Sequence, residues 1–182
     1  MQHRWLFAAL ALTPAAIVLP VHAVVYMSAE QARSALFPQA ARFDEIAVEL
    51  TPVQQQALDQ ALGVATKPRR IQGWTARDAA GKTIGQILLD EVIGKYELIS
   101  YAVAFGTDGA IQAVEVLAYR ESHGQEIRLP AWRKQFVGKK TFEELRFGEQ
   151  IKSISGATLS CRHVTEGVQR LATIMRTLLT PR

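Results

Sequence analysis

The stretch Thr83–Tyr119 reads TIGQILLDEVIGKYELISYAVAFGTDGAIQAVEVLAY, and its punctuation decides the fold. Three apolar-rich runs, Thr83–Val92, Glu97–Phe105 and Ala110–Tyr119, have the look of strands. Between them lie Gly94-Lys95 and Gly106-Thr107-Asp108-Gly109, turn chemistry suited to hairpins. Links this short favour an antiparallel meander, because a parallel crossover needs about a dozen residues or more. One face of such a sheet must be covered by something apolar.

The cover lies downstream. From about Ser160 to Leu179, residues Val164, Val168, Leu171, Met175 and Leu178 recur at helical spacing and form a single apolar seam. Upstream, Ser28 is a plausible N-cap for a short amphipathic helix to Leu36, stopped at Phe37-Pro38. A second helix is expected over Thr51–Leu62, with Pro52 in its first turn and Gly63 closing it. Ile71–Ala76 reads as a strand and Asp78–Lys82, with Gly81, as a turn. The expected class is therefore α+β: an antiparallel sheet covered by a C-terminal amphipathic helix, with a short helical N-terminal extension. Residues 24–82 form the helical and strand extension, and residues 83–178 the principal domain.

The first residues read as an address. Gln2-His3-Arg4 precedes an apolar run from Trp5 to Leu19, and Val21 and Ala23 are small residues where a signal peptidase cuts. A secretory signal over residues 1–23 is expected, with an uncleaved membrane anchor as the alternative. Either places the body of the chain in the bacterial periplasm or on the outer face of the cytoplasmic membrane. With 182 residues, 48% hydrophobic and 21% charged, the chain has ordinary globular composition and can bury a core. Its formal charge of +4 is spread along the chain, without the basic stripe of a nucleic-acid binder. Cys161 is the only cysteine, so no internal disulfide forms. Beyond residue 23 the only histidines are His123 and His163, and no cluster has metal-ligand spacing.

Chemistry concentrates in Ile154-Ser155-Gly156-Ala157-Thr158-Leu159-Ser160, at the entrance to the long helix. Gly156 permits a tight bend and close approach of a ligand. Thr158 lies where free backbone N–H groups and the helix dipole favour an anion, and Arg162, one turn on, adds a charge that suits a phosphate. Taken alone, small residues before a helix are as readily a turn and a cap.

Ser155-Gly156-Ala157-Thr158, followed by an amphipathic helix, resembles the flavinylation motif of the FMN-binding domain family. That family includes the small flavin-carrying subunits of the sodium-pumping NADH:quinone reductase and Rnf complexes. The resemblance covers roughly residues 83–178. It includes Tyr119-Arg120-Glu121-Ser122-His123-Gly124, similar to a segment that faces the flavin, and Trp132 with Phe136-Val137-Gly138-Lys139. The resemblance implies FMN as cofactor, esterified through its phosphate to Thr158 by a separate flavin transferase that draws on FAD. It also implies flavin contacts from Ser155, Gly156, Ala157, Glu121, Ser122, His123 and Gly124. In the family an acid often stands six residues before the threonine; here that position is Lys152. Trp132 reads as core, with stacking on the isoalloxazine as the alternative, and Cys161 has no assigned role.

The implied function is an exported electron carrier with a membrane or envelope redox partner, not an enzyme in its own right. No Rossmann fingerprint for a nicotinamide cofactor is present. Two alternatives stand beside it. One is an envelope flavoenzyme with His123 as proton donor, and the other a flavin-free binding module of the same fold.

Overall fold

The computed structural model describes residues 24–67 and 70–176. The signal or anchor expected over residues 1–23, and the last seam residue Leu178, lie outside them. Six strands run in the spatial order β1-β6-β5-β4-β3-β2, and every neighbouring pair is antiparallel. They are β1 (Val24–Val25), β2 (Arg42–Val48), β3 (Ile71–Arg77), β4 (Thr83–Ile93), β5 (Leu98–Gly106) and β6 (Ile111–Tyr119). From β3 to β6 this is the meander that the short links demand, and β2 pairs beside β3 after a longer connection that holds a helix. The sheet is flanked by α1 (Ala29–Leu36), α2 (Pro52–Leu62), the short α3 (Pro130–Arg133) and the long α4 (Thr158–Ile174).

The two upstream helices start where expected, and both carry full capping boxes. Ser28 Oγ accepts the Gln31 N–H at 3.2 Å while Gln31 Oε1 accepts the Ser28 N–H at 2.8 Å. Thr51 and Gln54 repeat the exchange at the head of α2, and Gly63 ends that helix at φ 70°. Each cap contributes about 1 kcal/mol of helix stability.

Residues 24–82 do more than extend the domain. Their three strands join the same sheet, β1 on one edge beside β6 and β2 on the other beside β3. The connecting α1 crosses the face that α4 leaves open. Phe37, Trp74, Ile87 and Leu117 pack there with Ala32, Ala102 and Ala104. On the α4 face, Leu88, Tyr101, Val103, Phe105 and Tyr119 meet Val164, Val168, Leu171 and Met175, which is the seam expected from the sequence. β5 is buried on both sides: Tyr101, Ala102, Val103, Ala104 and Phe105 are all fully enclosed. Its small side chains face α1 and its large ones face α4.

No sequence pattern marks β2. Phe43 points into the α1 core, whereas Ile46 and Val48 pack on the α4 core. The apolar residues of this edge strand are thus divided between two faces, and no alternation survives to mark it.

The 17-residue α4 sits unusually close to the sheet. A Cβ on Gly167 would lie 1.9 Å from the Tyr101 hydroxyl oxygen. That hydroxyl donates to Asp90 Oδ2 at 2.6 Å, and the same carboxylate pairs with Arg170 of α4. Asp90 is nearly inaccessible (2% of its side chain), so removing one partner leaves a buried charge.

Gly167→Ala is expected to cost about 1–3 kcal/mol from overpacking, more than the ~1 kcal/mol that alanine adds to helix propensity. Urea unfolding reads the loss. In the background of Tyr101→Phe, which removes the clashing oxygen, the same substitution should cost less. Equal cost in both backgrounds would show that the contact does not set the helix position.

Candidate functional site

The expected phosphate-side residues form one turn and the head of α4. Ser155 and Gly156 make the turn, closed by the Ala157 N–H donating to Ile154 O at 3.0 Å, with Gly156 at φ +84°. Ala157 is the buried N-cap and Thr158 the exposed first residue of the helix. The helix therefore begins two residues ahead of the expected Ser160. Nothing in the sequence marks that start, because alanine offers no capping oxygen and no side chain caps this end. The hydrogen-bond ladder of α4 opens with the Cys161 N–H on Ala157 O at 2.9 Å, and the N–H groups ahead of it have no intrahelical acceptors.

The second block, Glu121 to Gly124, is brought against this helix head by the tyrosine that precedes it at the end of β6. The buried Tyr119 hydroxyl donates to the His123 carbonyl and lies 2.9 Å from Ser160 Oγ. Gly124 is what permits the approach. It has φ +94°, and a Cβ there would stand 2.5 Å from the Tyr119 oxygen and 3.2 Å from Ser160 Oγ. Burial pushes the Tyr119 hydroxyl above the ordinary tyrosine value, so it stays protonated and able to donate.

A pocket of about 210 Å³ opens at this junction, lined by Lys95, Tyr96, Ser122, His123, Gly156, Ala157, Leu159 and Ser160. Of the expected residues, Ser122, His123, Gly156 and Ala157 thus line one pocket, whereas Ser155 and Thr158 are exposed neighbours of these in the chain and do not line it. His123 is exposed, and its Nδ1 lies 2.9 Å from Ser122 Oγ. Glu121 acts at one remove: its Oε1 accepts the N–H groups of Tyr96 and Glu97 and so holds the β4–β5 turn. Partial burial works to raise the Glu121 carboxyl, but the N–H groups of Glu97, Tyr96 and Lys95 outweigh it and hold the group below its usual value. Arg162 lies one turn beyond Thr158 with its guanidinium 5.0 Å from the centre of the Phe147 ring, and it does not line the pocket.

Other residues named from sequence are structural. Trp132 is buried, meets Phe136 edge-on at 5.1 Å and donates its Nε1–H to Lys152 O at 2.8 Å. Lys152 is exposed, with Nζ on Gly148 O. Gly138 and Lys139 hydrogen-bond Ile111 at the start of β6. Cys161 is fully buried, which raises its thiol above the ordinary value and suits packing. Among the described residues no group of His, Cys, Asp and Glu could hold a metal, and no helix is long and apolar enough to cross a membrane.

An uncapped helix head, an exposed hydroxyl in its first turn and an adjoining pocket with a lysine and a tyrosine on its wall suit a phosphate joined to an aromatic ring system. Residues 94–173 match the family model of the FMN-binding domain. This chain carries an FMN-binding domain. The match runs from the β4–β5 turn almost to the end of α4, so it contains every residue of the pocket, and FMN is the cofactor. No curated protein matches the chain in sequence. Among solved structures the fold is similar to that of NqrC from Shewanella oneidensis, with a TM-score of 0.50 at 16% identity over 75% of this chain and 80% of that one.

Tyr119→Phe should cost about 1–3 kcal/mol, the penalty for leaving buried polar partners unsatisfied. The gap from wild type should narrow above pH ~10. There the unfolded tyrosine ionises while the folded one, with its raised value, resists, and the stabilisation is lost as pH climbs through the folded value. A gap independent of pH up to 11 would count against a buried, donating hydroxyl. For Glu121 the sign reverses. Its contribution is present above the usual carboxylate value and fades as pH falls through the lowered one, so Glu121→Gln should differ from wild type less in acid than at neutrality.

Proposed function

We propose that this chain is an exported electron carrier of the bacterial cell envelope, with FMN linked through its phosphate to Thr158. The observation that carries the reading is the exposed Thr158 in the first turn of an uncapped 17-residue helix, between Ala157 and Leu159, which both line the pocket. Bound FMN supplies one- and two-electron chemistry, and the protein supplies position, shielding and electrostatics.

Attachment requires a separate flavin transferase. The Thr158 Oγ–P bond forms as the pyrophosphate P–O bond of FAD breaks, AMP leaves, and the hydroxyl proton passes to solvent. The product is a phosphodiester with one negative charge. At the head of α4 that charge meets unpaired N–H groups and the positive end of the helix dipole, worth about 0.3–1 kcal/mol. Gly156 keeps the approach clear, since nothing lies within 4 Å of where its Cβ would be. Ser122 and His123 face the same pocket and are assigned to flavin contacts, with Arg162 available to the phosphate from one turn away.

Export follows from the reading of residues 1–23 and fits a covalent link, because cofactor lost outside the cytoplasm is not readily replaced. The donor and acceptor are assigned to a membrane or envelope redox partner, without nucleic acid. Catalysis by the isolated domain is not part of the proposal.

Co-expression with a flavin transferase in an exporting bacterium tests it by intact mass. Wild type should gain the mass of FMN less water, and Thr158→Ala should gain nothing while unfolding at the same temperature. A flavin that survives Thr158→Ala, or a wild type without the added mass, overturns covalent attachment at this residue.

A further inference from the structure

The turn Gly94–Glu97, between β4 and β5, is gripped from two directions. Just past β6, the Glu121 carboxylate accepts the N–H of Tyr96 at 2.5 Å and of Glu97 at 2.9 Å. From α4, the His163 ring takes the other side: its Nδ1 lies 2.7 Å from Ile93 O and 2.8 Å from Gly94 O. Both partners are carbonyl acceptors, so Nδ1 carries the proton and shares it between them. The hairpin closes through the Gly94 N–H on Glu97 O at 2.8 Å. Gly94 has no room for a side chain, because a Cβ would lie 2.7 Å from Glu121 Oε1 and 3.0 Å from Ile99. An exposed turn of this kind is ordinarily the mobile part of a hairpin. Here the backbone is fixed while the side chains of Lys95 and Tyr96 remain outside, Lys95 Nζ 4.8 Å from the centre of the Tyr96 ring.

What the grip holds is a wall of the pocket. Lys95 and Tyr96 line it together with Gly156, Ala157, Leu159 and Ser160. Leu159 and Ser160 precede His163 by one helical turn, so pocket and grip share one face of α4. Tyr96 is 74% exposed, a large aromatic ring whose place in the fold earns it little burial. A ring and an ammonium group held on a fixed backbone at the mouth of a flavin pocket are the elements that tune a flavin by stacking and by charge near its ring nitrogens.

The geometry points to His163 as a positioning residue for the flavin, acting through the β4–β5 turn to hold Tyr96 and Lys95 against the ring system of FMN carried at Thr158. This rests on the FMN reading of the Thr158 site. His163 touches the backbone of the turn and not the cofactor, so its effect on the flavin passes through Tyr96 and Lys95.

The test uses flavinylated full-length protein and compares wild type with His163→Leu, His163→Asn, Tyr96→Ala and the double variant His163→Leu/Tyr96→Ala. Flavin fluorescence and the visible circular dichroism of the bound flavin are read beside the melting temperature. His163→Leu should raise fluorescence towards that of free FMN and lose the dichroic band, and Tyr96→Ala should do the same. The double variant should add nothing further, as expected for two residues acting through one contact. His163→Asn places an amide N–H near the position of Nδ1 and should restore the wild-type signals. If His163→Leu does not fold, His163→Gln, whose amide lies further out, serves as the loss variant. A lower melting temperature with unchanged flavin signals, or effects of His163 and Tyr96 that add in full, would overturn the assignment. Absence of flavin mass from wild type is a separate result, which removes the Thr158 reading and this one with it.

Discussion

The close seating of α4 on the sheet at Gly167 is the constraint on which the other features depend. A Cβ at that position would overlap the Tyr101 hydroxyl. Its absence lets the helix settle over β4 and β5 while Tyr101 and Arg170 share the Asp90 carboxylate beneath it. A buried ion pair is weak evidence of net stability, but it is strict about geometry, because a shifted helix leaves a charge uncompensated. The rest of α4 follows as a rigid rod. Its head is thereby fixed at one end of the sheet, and with it Thr158.

Around that head the chain uses three polar contacts to bring separate segments together. Tyr119 ties the His123 carbonyl to Ser160. Glu121 ties the end of β6 to the β4–β5 turn, and His163 ties that turn to α4. Each joins a side chain to backbone or to a hydroxyl across a long sequence separation. The pocket is what lies between the three, so it is built by the junction and not by any one loop. An open helix head suits a dianionic or monoanionic phosphate, and the fixed turn opposite supplies an aromatic and a cationic face.

The sequence made the core of this arrangement legible where local chemistry and tertiary environment agree. The links Gly94-Lys95 and Gly106 to Gly109 are turns by residue type and turns in the fold. Ser28 and Thr51 cap helices because a hydroxyl followed three residues later by glutamine satisfies two N–H groups wherever it occurs. The Val164, Val168, Leu171 and Met175 seam is buried because a helical stripe of that width has only one place to go. Turn chemistry and resemblance to the FMN-binding domain family single out Ser155 to Thr158 and Glu121 to Gly124 in the sequence, and the fold brings Ser122, His123, Gly156 and Ala157 of these onto one pocket. Agreement failed at β2, whose apolar residues serve two faces, and at the start of α4, where alanine holds the N-cap position and Ser160 is engaged by Tyr119.

By itself, then, the sequence determined the meander, the capped helices, the amphipathic cover and the motif threonine, since each depends on residues close together in the chain. It did not determine that β1, α1 and β2 complete and cover the same sheet, because pairing at sheet edges is decided by partners far away in sequence. Nor did it show that Tyr119, Lys95, Tyr96 and His163 meet around the head of α4. Their roles are distances across the fold, between a strand end, a hairpin turn and a helix face. Only the close packing of α4 on the sheet brings those within hydrogen-bonding reach.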